Sequence, residues 1–248
     1  MSDLNRNAVP RFGSATRAEA GMIDEGLRSF LLRVYNYMAV GLAVTGVAAL
    51  GTAVAAVSNG QLTSFGYALY ASPLKWVVML APLGFVFFLS ARVHTMSVAG
   101  AQMAFWGFAA LMGVSMSSIF LVFTGESIVR VFFLTAATFG AMSLYGYTTK
   151  RDLSGMGSFL MMGLIGIIIA SLVNIFIGSS AIQFAVSVIG VLIFTGLTAY
   201  DTQQIKEMYY VGDDGTVAGR KAIMGALRLY LDFINLFMML LQLFGNRE

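Results

Sequence analysis

Two aspartates stand in stretches that are otherwise apolar enough to cross a membrane. Asp201 lies in Gly196-Leu-Thr-Ala-Tyr-Asp-Thr-Gln-Gln-Ile-Lys206, and Asp232 lies in the last apolar stretch, Ala226 to Phe244, together with Arg228 and Asn235. An ionisable group at bilayer depth costs about 2.5–3.5 kcal/mol on insertion scales, so it normally faces a bundle interior or a water-filled cavity and has a partner. Suppose one helix continues to Tyr210 and the next begins near Lys221. The carboxylates then lie about nine and eleven residues from the turn, or roughly 14 and 16 Å along their axes. In an antiparallel hairpin those depths match and the two groups can meet. Two carboxylates in contact away from water cannot both ionise cheaply, and they titrate as one coupled unit. A shared proton would hold the helices together, and losing it, or exchanging it for a cation, would change their packing. That is the chemistry of a pH sensor or cation gate. Carboxylate oxygens also suit hard cations, which makes Asp201 and Asp232 candidate transient calcium ligands. The competing reading is structural, with Asp201 hydrated near the interface and Asp232 neutralised by Arg228.

The neighbouring polar groups carry two readings each. Arg228 either snorkels to the near face of the membrane or partners one of the aspartates. Asn235, three residues after Asp232 on the same side of the helix, either orients that carboxylate or bonds a neighbouring helix. Arg92 ends the second apolar segment, as a topology signal or as a group reaching toward Asp201. Pro82 lies inside that segment, where it removes a backbone donor; it is a tolerated membrane proline or a hinge in a gating helix.

The elements that must position these groups follow from composition. Of 248 residues, 58% are hydrophobic and 11% charged, with mean hydropathy +0.80, against about 25% charged in a soluble domain. The apolar runs are too long for barrel strands. The fold class is therefore an all-α integral membrane protein. Its seven spans run approximately 34–57, 74–91, 98–123, 127–148, 156–177, 181–205 and 222–244, preceded by a polar tail over 1–32 that contains an amphipathic lead-in helix; residues 33–248 form the membrane domain. No signal peptide is expected. The segment 58–73 reads as the longest outer loop, with Tyr67 and Tyr70 as interface aromatics. Arg and Lys cluster in the tail and after the second, fourth and sixth spans, so the N-terminus is expected in the cytoplasm and the C-terminus outside. With no Cys and one His, thiolate chemistry and a multi-His metal site are excluded. The basic residues are spread as topology signals, and nucleic acid is not an expected partner.

Tyr200-Asp201-Thr202-Gln203 closing the sixth span, and Leu229-Tyr-Leu-Asp232-Phe-Ile-Asn235-Leu-Phe in the seventh, resemble the Bax inhibitor-1 (transmembrane Bax-inhibitor-motif) family. Gly26-Leu-Arg-Ser-Phe-Leu-Leu-Arg-Val-Tyr35-Asn-Tyr-Met resembles its bacterial branch. The resemblance implies six helices in two layers of three around a central C-terminal helix. It also implies placement in the inner membrane and a pH-dependent calcium leak gated by Asp201 and Asp232 and engaged by Arg92; Arg228, Asn235 and Tyr200 are the further supporting candidates beside the pair. Arg92 is the position matching a basic residue that engages the pair. One departure stands out: some members carry an acid inside the second span, whereas Leu74–Ala91 has none, only Lys75 at its outer end. Animal members are linked to suppression of cell death and bacterial ones to membrane-protein quality control.

No cofactor and no enzymatic activity are expected. Intramembrane aspartyl proteases also use two aspartates, but their Gly-x-Gly-Asp motif has no counterpart at Leu229-Tyr-Leu-Asp232. A retinal protein would need a Lys in the seventh span for its Schiff base. Two functions remain: a proton-regulated passive cation leak with calcium as the ion, and a non-conducting regulator that binds other membrane proteins, such as membrane proteases.

Overall fold

The computed structural model describes residues 12–247, with side chains from Glu25 onward; the polar tail through residue 11, and the side chains that begin the expected amphipathic lead-in helix, lie outside the described residues. Helix α1 (Phe12–Ala56) is a single rod of 45 residues, about 67 Å at 1.5 Å per residue and more than twice the roughly 30 Å hydrocarbon thickness. Lead-in and first span are thus one helix, unbroken at the expected 32/33 boundary. The apolar stretch of this helix takes in Glu25–Ala56, so it includes the residues before Val34, and Phe30, Leu31 and Val34 are all buried.

The segment expected as a loop is largely structured. Two-residue strands β1 (Val57–Ser58) and β2 (Gln61–Leu62) pair antiparallel. They are turned by Asn59 and Gly60 at φ 53° and 75°, the residues a type I′ turn demands. Helix α2 (Ser64–Tyr70) follows, capped by Thr63, whose Oγ1 accepts from the Gly66 amide at 3.0 Å. Tyr67 is exposed, in keeping with an interface aromatic. Tyr70 instead hydrogen-bonds Ser117 Oγ at 2.7 Å, tying α2 to the 3₁₀ turn Ser117–Leu121.

The remaining helices are α3 (Leu74–Arg92), α4 (Val98–Met116), α5 (Gly125–Thr148), α6 (Ser154–Ile177), α7 (Ser180–Glu207) and α8 (Gly215–Phe244). Ser97, Thr124, Ser179 and Asp214 cap α4, α5, α7 and α8 through side-chain oxygens that accept first-turn amides, as these residue types do. Helix α6 stops at Gly178, whose φ of 68° only glycine adopts freely. Helix α3 runs through Pro82 without a break. Among the described residues, seven helices are long and apolar enough to cross a membrane: all but α2, with the spans of α3 and α4 each carried slightly further by a 3₁₀ turn.

α1, α3 and α4 pack together, as do α5, α6 and α7, and α8 lies between the two layers in contact with α1, α4, α5 and α7. In α8, 67% of the most apolar window is buried inside the protein, against 6% in the peripheral α6. Glycines set the close approaches. A Cβ at Gly113 would overlap the Thr45 carbonyl of α1, and one at Gly146 would overlap the Ala199 carbonyl of α7. At the far end, Asn246 returns the chain to the start of α5, its carbonyl accepting from the Thr124 amide and its amide donating to Ser127 Oγ.

Candidate functional site

The α7–α8 hairpin does not have the shape expected of it. Helix α7 ends at Glu207, not Tyr210, and α8 begins at Gly215, not Lys221. Along the hairpin Ile205 packs on Gly225, Asp201 meets Asp232, and Gly190 faces Met239. In that register the first two turns of α8 project past the end of α7. There Arg220 donates to the carbonyls of His94 (2.7 Å) and Met96 (2.6 Å), holding the α3–α4 connection. Lys221 closes the hairpin turn on Asp213 at 2.6 Å. Both residues were legible only as topology charges; each has a structural task as well.

Each residue of the Tyr-Asp-Thr-Gln run faces a different neighbour, because successive positions on a helix turn by about 100°. The Tyr200 ring packs where Gly157 of α6 leaves room for it, so Tyr200 supports α6 rather than the acid pair. Asp201 faces α8. Thr202 takes a hydrogen bond with Ser143 of α5 (3.0 Å) and donates to the Thr198 carbonyl (2.7 Å). Gln203, buried, accepts from the Leu153 amide (2.9 Å) and donates to the Arg151 carbonyl (2.8 Å), fixing the α5–α6 turn. In that turn Asp152 is held below the usual carboxylate range by hydrogen bonds from Ser154.

The two carboxyl groups lie within hydrogen-bonding reach of each other. Asp232 is 5% exposed, and its Oδ2 is buried with no hydrogen-bond donor among the described residues. Asp201 is the more accessible, at 18%, and Arg228 Nη1 stands 4.0 Å from its Oδ1 with the guanidinium side chain 44% exposed. Arg228 thus pairs with Asp201 from the open side, which is the second of its two readings, a partnered arginine. Asn235 does not orient the acid: its Nδ2 donates to the Leu231 carbonyl one turn earlier at 2.8 Å. It lines a cleft of about 340 Å³ with Ser171 of α6 and Phe194 of α7. Arg92 is exposed at the end of α3 and joins no ion pair among the described residues. The reach toward Asp201 implied by the resemblance is not made among the described residues; the arginine beside Asp201 is Arg228. No group of three or more His, Cys, Asp or Glu side chains converges among the described residues; a cation at the pair would take two carboxylates and complete its shell with water or carbonyls.

One constellation had no signal in the sequence. Tyr230, wholly buried in α8, hydrogen-bonds Thr45 Oγ1 of α1 at 2.6 Å. Thr45 in turn reaches the Ala109 carbonyl of α4 at 2.9 Å, and the Tyr230 ring meets Phe105 and Phe108 edge-on, at centroid distances of 5.7 Å each. The central α8 is tied there to α1 and α4, two residues from Asp232 and on a different side of α8.

These features define a seven-span membrane protein built around a helix that carries the buried member of an acid pair. Residues 27–248 match the family model described as inhibitor of apoptosis-promoting Bax1, and the chain belongs to that Bax inhibitor-1 family. It is 47% identical over 233 residues to a protein of Rickettsia prowazekii, covering 94% of this chain and 96% of the relative. It is 46% identical over 241 residues to the inner membrane protein YbhL of Escherichia coli, covering 96% and 98%. A membrane protein of Streptococcus pyogenes is 35% identical over 232 residues, covering 91% and 96%.

Proposed function

We propose that this protein is a pH-regulated passive cation leak of the bacterial inner membrane, with calcium as the expected ion and Asp201 and Asp232 as sensor and gate. The observation that supports it most is the orphaned Oδ2 of Asp232 beside Asp201. A buried carboxylate oxygen without a donor is costly, and a proton held between the two carboxyls satisfies it. Arg228 then balances the one remaining charge from the open side. When the proton leaves, the second charge has no counter-ion. The pair must then separate, moving α7 against α8, or admit a cation. Flux should therefore rise with pH through the titration of the pair. The N-terminus is placed in the cytoplasm, with the basic ends of α3, α5 and α7.

The absence of an acid in α3 favours a second reading, a non-conducting protein that regulates membrane partners. Calcium flux into proteoliposomes holding only this protein, scanned from about pH 5 to 8, the range a buried acid pair can reach, separates the two. The leak predicts flux that grows with pH in the parent and is flat in Asp201→Asn and Asp232→Asn. Flux no greater than that of empty liposomes at every pH would remove the leak and leave the regulator.

A further inference from the structure

The two helical layers part between α1 and α5. A cleft of about 600 Å³ opens there, with Tyr35 and Leu42 on one wall, Phe132 and Gly140 on the other, and Phe233 of α8 as its floor. Along α1 it runs from Arg28 to Leu42, fourteen residues or about 21 Å, which exceeds the depth of one leaflet in a hydrocarbon core roughly 30 Å thick. A smaller hollow of about 100 Å³ continues it beyond Leu42, sharing Phe132 and Phe233.

We infer that this cleft is a binding site for an anionic phospholipid, one acyl chain lying along Phe233 and the headgroup at Arg28. Leu32 and Leu144 on its rim are exposed, at 53% and 63%, on helices that cross the membrane, so the cleft opens sideways to lipid. An empty gap forfeits dispersion contacts on all its walls, and water gains little where the lining is apolar. Hydrocarbon from the surrounding leaflet is the neighbour that fits. The charged groups sit at one end, and the hydrogen-bonded hydroxyls of Tyr35 and Ser143 lie further in. Arg28 lines the cleft there, and Lys206 of α7 donates to the Tyr147 carbonyl at 3.0 Å and lies over the Tyr147 ring, itself part of the wall. Two cations at the mouth of an apolar groove match a phosphate on a long tail; the guanidinium can hold two phosphate oxygens at once. Lys206 follows Asp201 by five residues on α7, so a bound headgroup would lie close to the acid pair, and its tail would hold the two layers apart.

Gly140 provides the test. A Cβ there meets nothing within 4 Å and points from the cleft wall, so Gly140→Phe puts its ring into the open volume of the cleft. Gly166 of α6 is equally open and serves as the control, Gly166→Phe. Purified protein is incubated with phosphatidylglycerol or phosphatidylcholine, and retained lipid is counted by native mass spectrometry. The parent and Gly166→Phe should each keep one phosphatidylglycerol per chain in preference to phosphatidylcholine, and Gly140→Phe should keep none. Arg28→Gln, at an exposed position, should bind the tail and lose roughly fivefold of the preference, the size expected of one basic group at an anionic surface. Equal retention by Gly140→Phe and Gly166→Phe, or a parent that does not distinguish the two lipids, overturns the site.

Discussion

At the scale of single residues, a charge inside an apolar run is costly enough to announce itself. Asp201, Asp232 and Arg228 could therefore be picked out before any fold was known. Polar groups that end up neutral and satisfied make no such announcement. A Tyr in a membrane helix reads equally well as an interface aromatic, and the partners of Tyr230 lie 122 to 185 residues away. Hydroxyl chemistry orders that contact. Tyr230 donates to Thr45 Oγ1, and Thr45 passes its own proton to a carbonyl, of Ala109 or of Gly41 one turn back, since each hydroxyl has one proton to give. Tyr230→Phe keeps the ring packing and removes one hydrogen bond, a loss of about 1 kcal/mol. The midpoint of thermal unfolding in detergent should fall by roughly 2–4 °C for a chain of this size. No change would mean that the bond contributes nothing beyond the edge-on aromatic contacts.

At the scale of helices, the existence of seven spans was legible and their ends were not. Hydropathy sees apolar runs, whereas α8 begins in Gly215-Thr-Val-Ala-Gly-Arg-Lys, which is polar because it projects beyond α7 to hold the α3–α4 connection. The signal for that start was present in Asp214, an N-cap that bonds the amides of Thr216 and Val217. Asn59-Gly60 likewise marks the small hairpin within the stretch 58–73. Small residues are harder to read, since a glycine at a helix crossing and one facing lipid look alike in sequence. Their consequences differ in sign. At Gly146 an added methyl would drive into the backbone of α7 at Ala199, so Gly146→Ala should cost about 1–3 kcal/mol, as overpacking does. On the same helix, Gly140→Ala meets nothing and should gain up to about 1 kcal/mol from helix propensity. Unfolding midpoints that move the same way in both variants would show that the α5–α7 approach is softer than its geometry implies.

For the whole molecule, periodicity could not supply the two-layer arrangement, and only the family resemblance anticipated it. Lipid makes the outer face of every span as apolar as the inner face, so an amphipathic stripe is absent where a soluble bundle would show one. Only the most enclosed helix betrays its place, by carrying the charges. The layers meet through α8 and through a hydroxyl chain that runs in one direction: Tyr35 of α1 donates to Ser143 of α5, Ser143 to Thr202 of α7, and Thr202 to the Thr198 carbonyl. That chain bridges the layers beside the residue that follows Asp201. If ionisation of the acid pair opens the leak by letting the layers move apart, the chain belongs to the closed state and opposes opening. Ser143→Ala should then raise calcium flux at every pH, by up to about tenfold for one lost interaction near 1.4 kcal/mol, and leave the midpoint of the pH response where the aspartates set it. Tyr35→Phe should act in the same direction, since it cuts the same chain without touching α5. Flux unchanged in both variants, with the pH response intact, would place the gating motion within the α7–α8 hairpin and leave the two layers fixed.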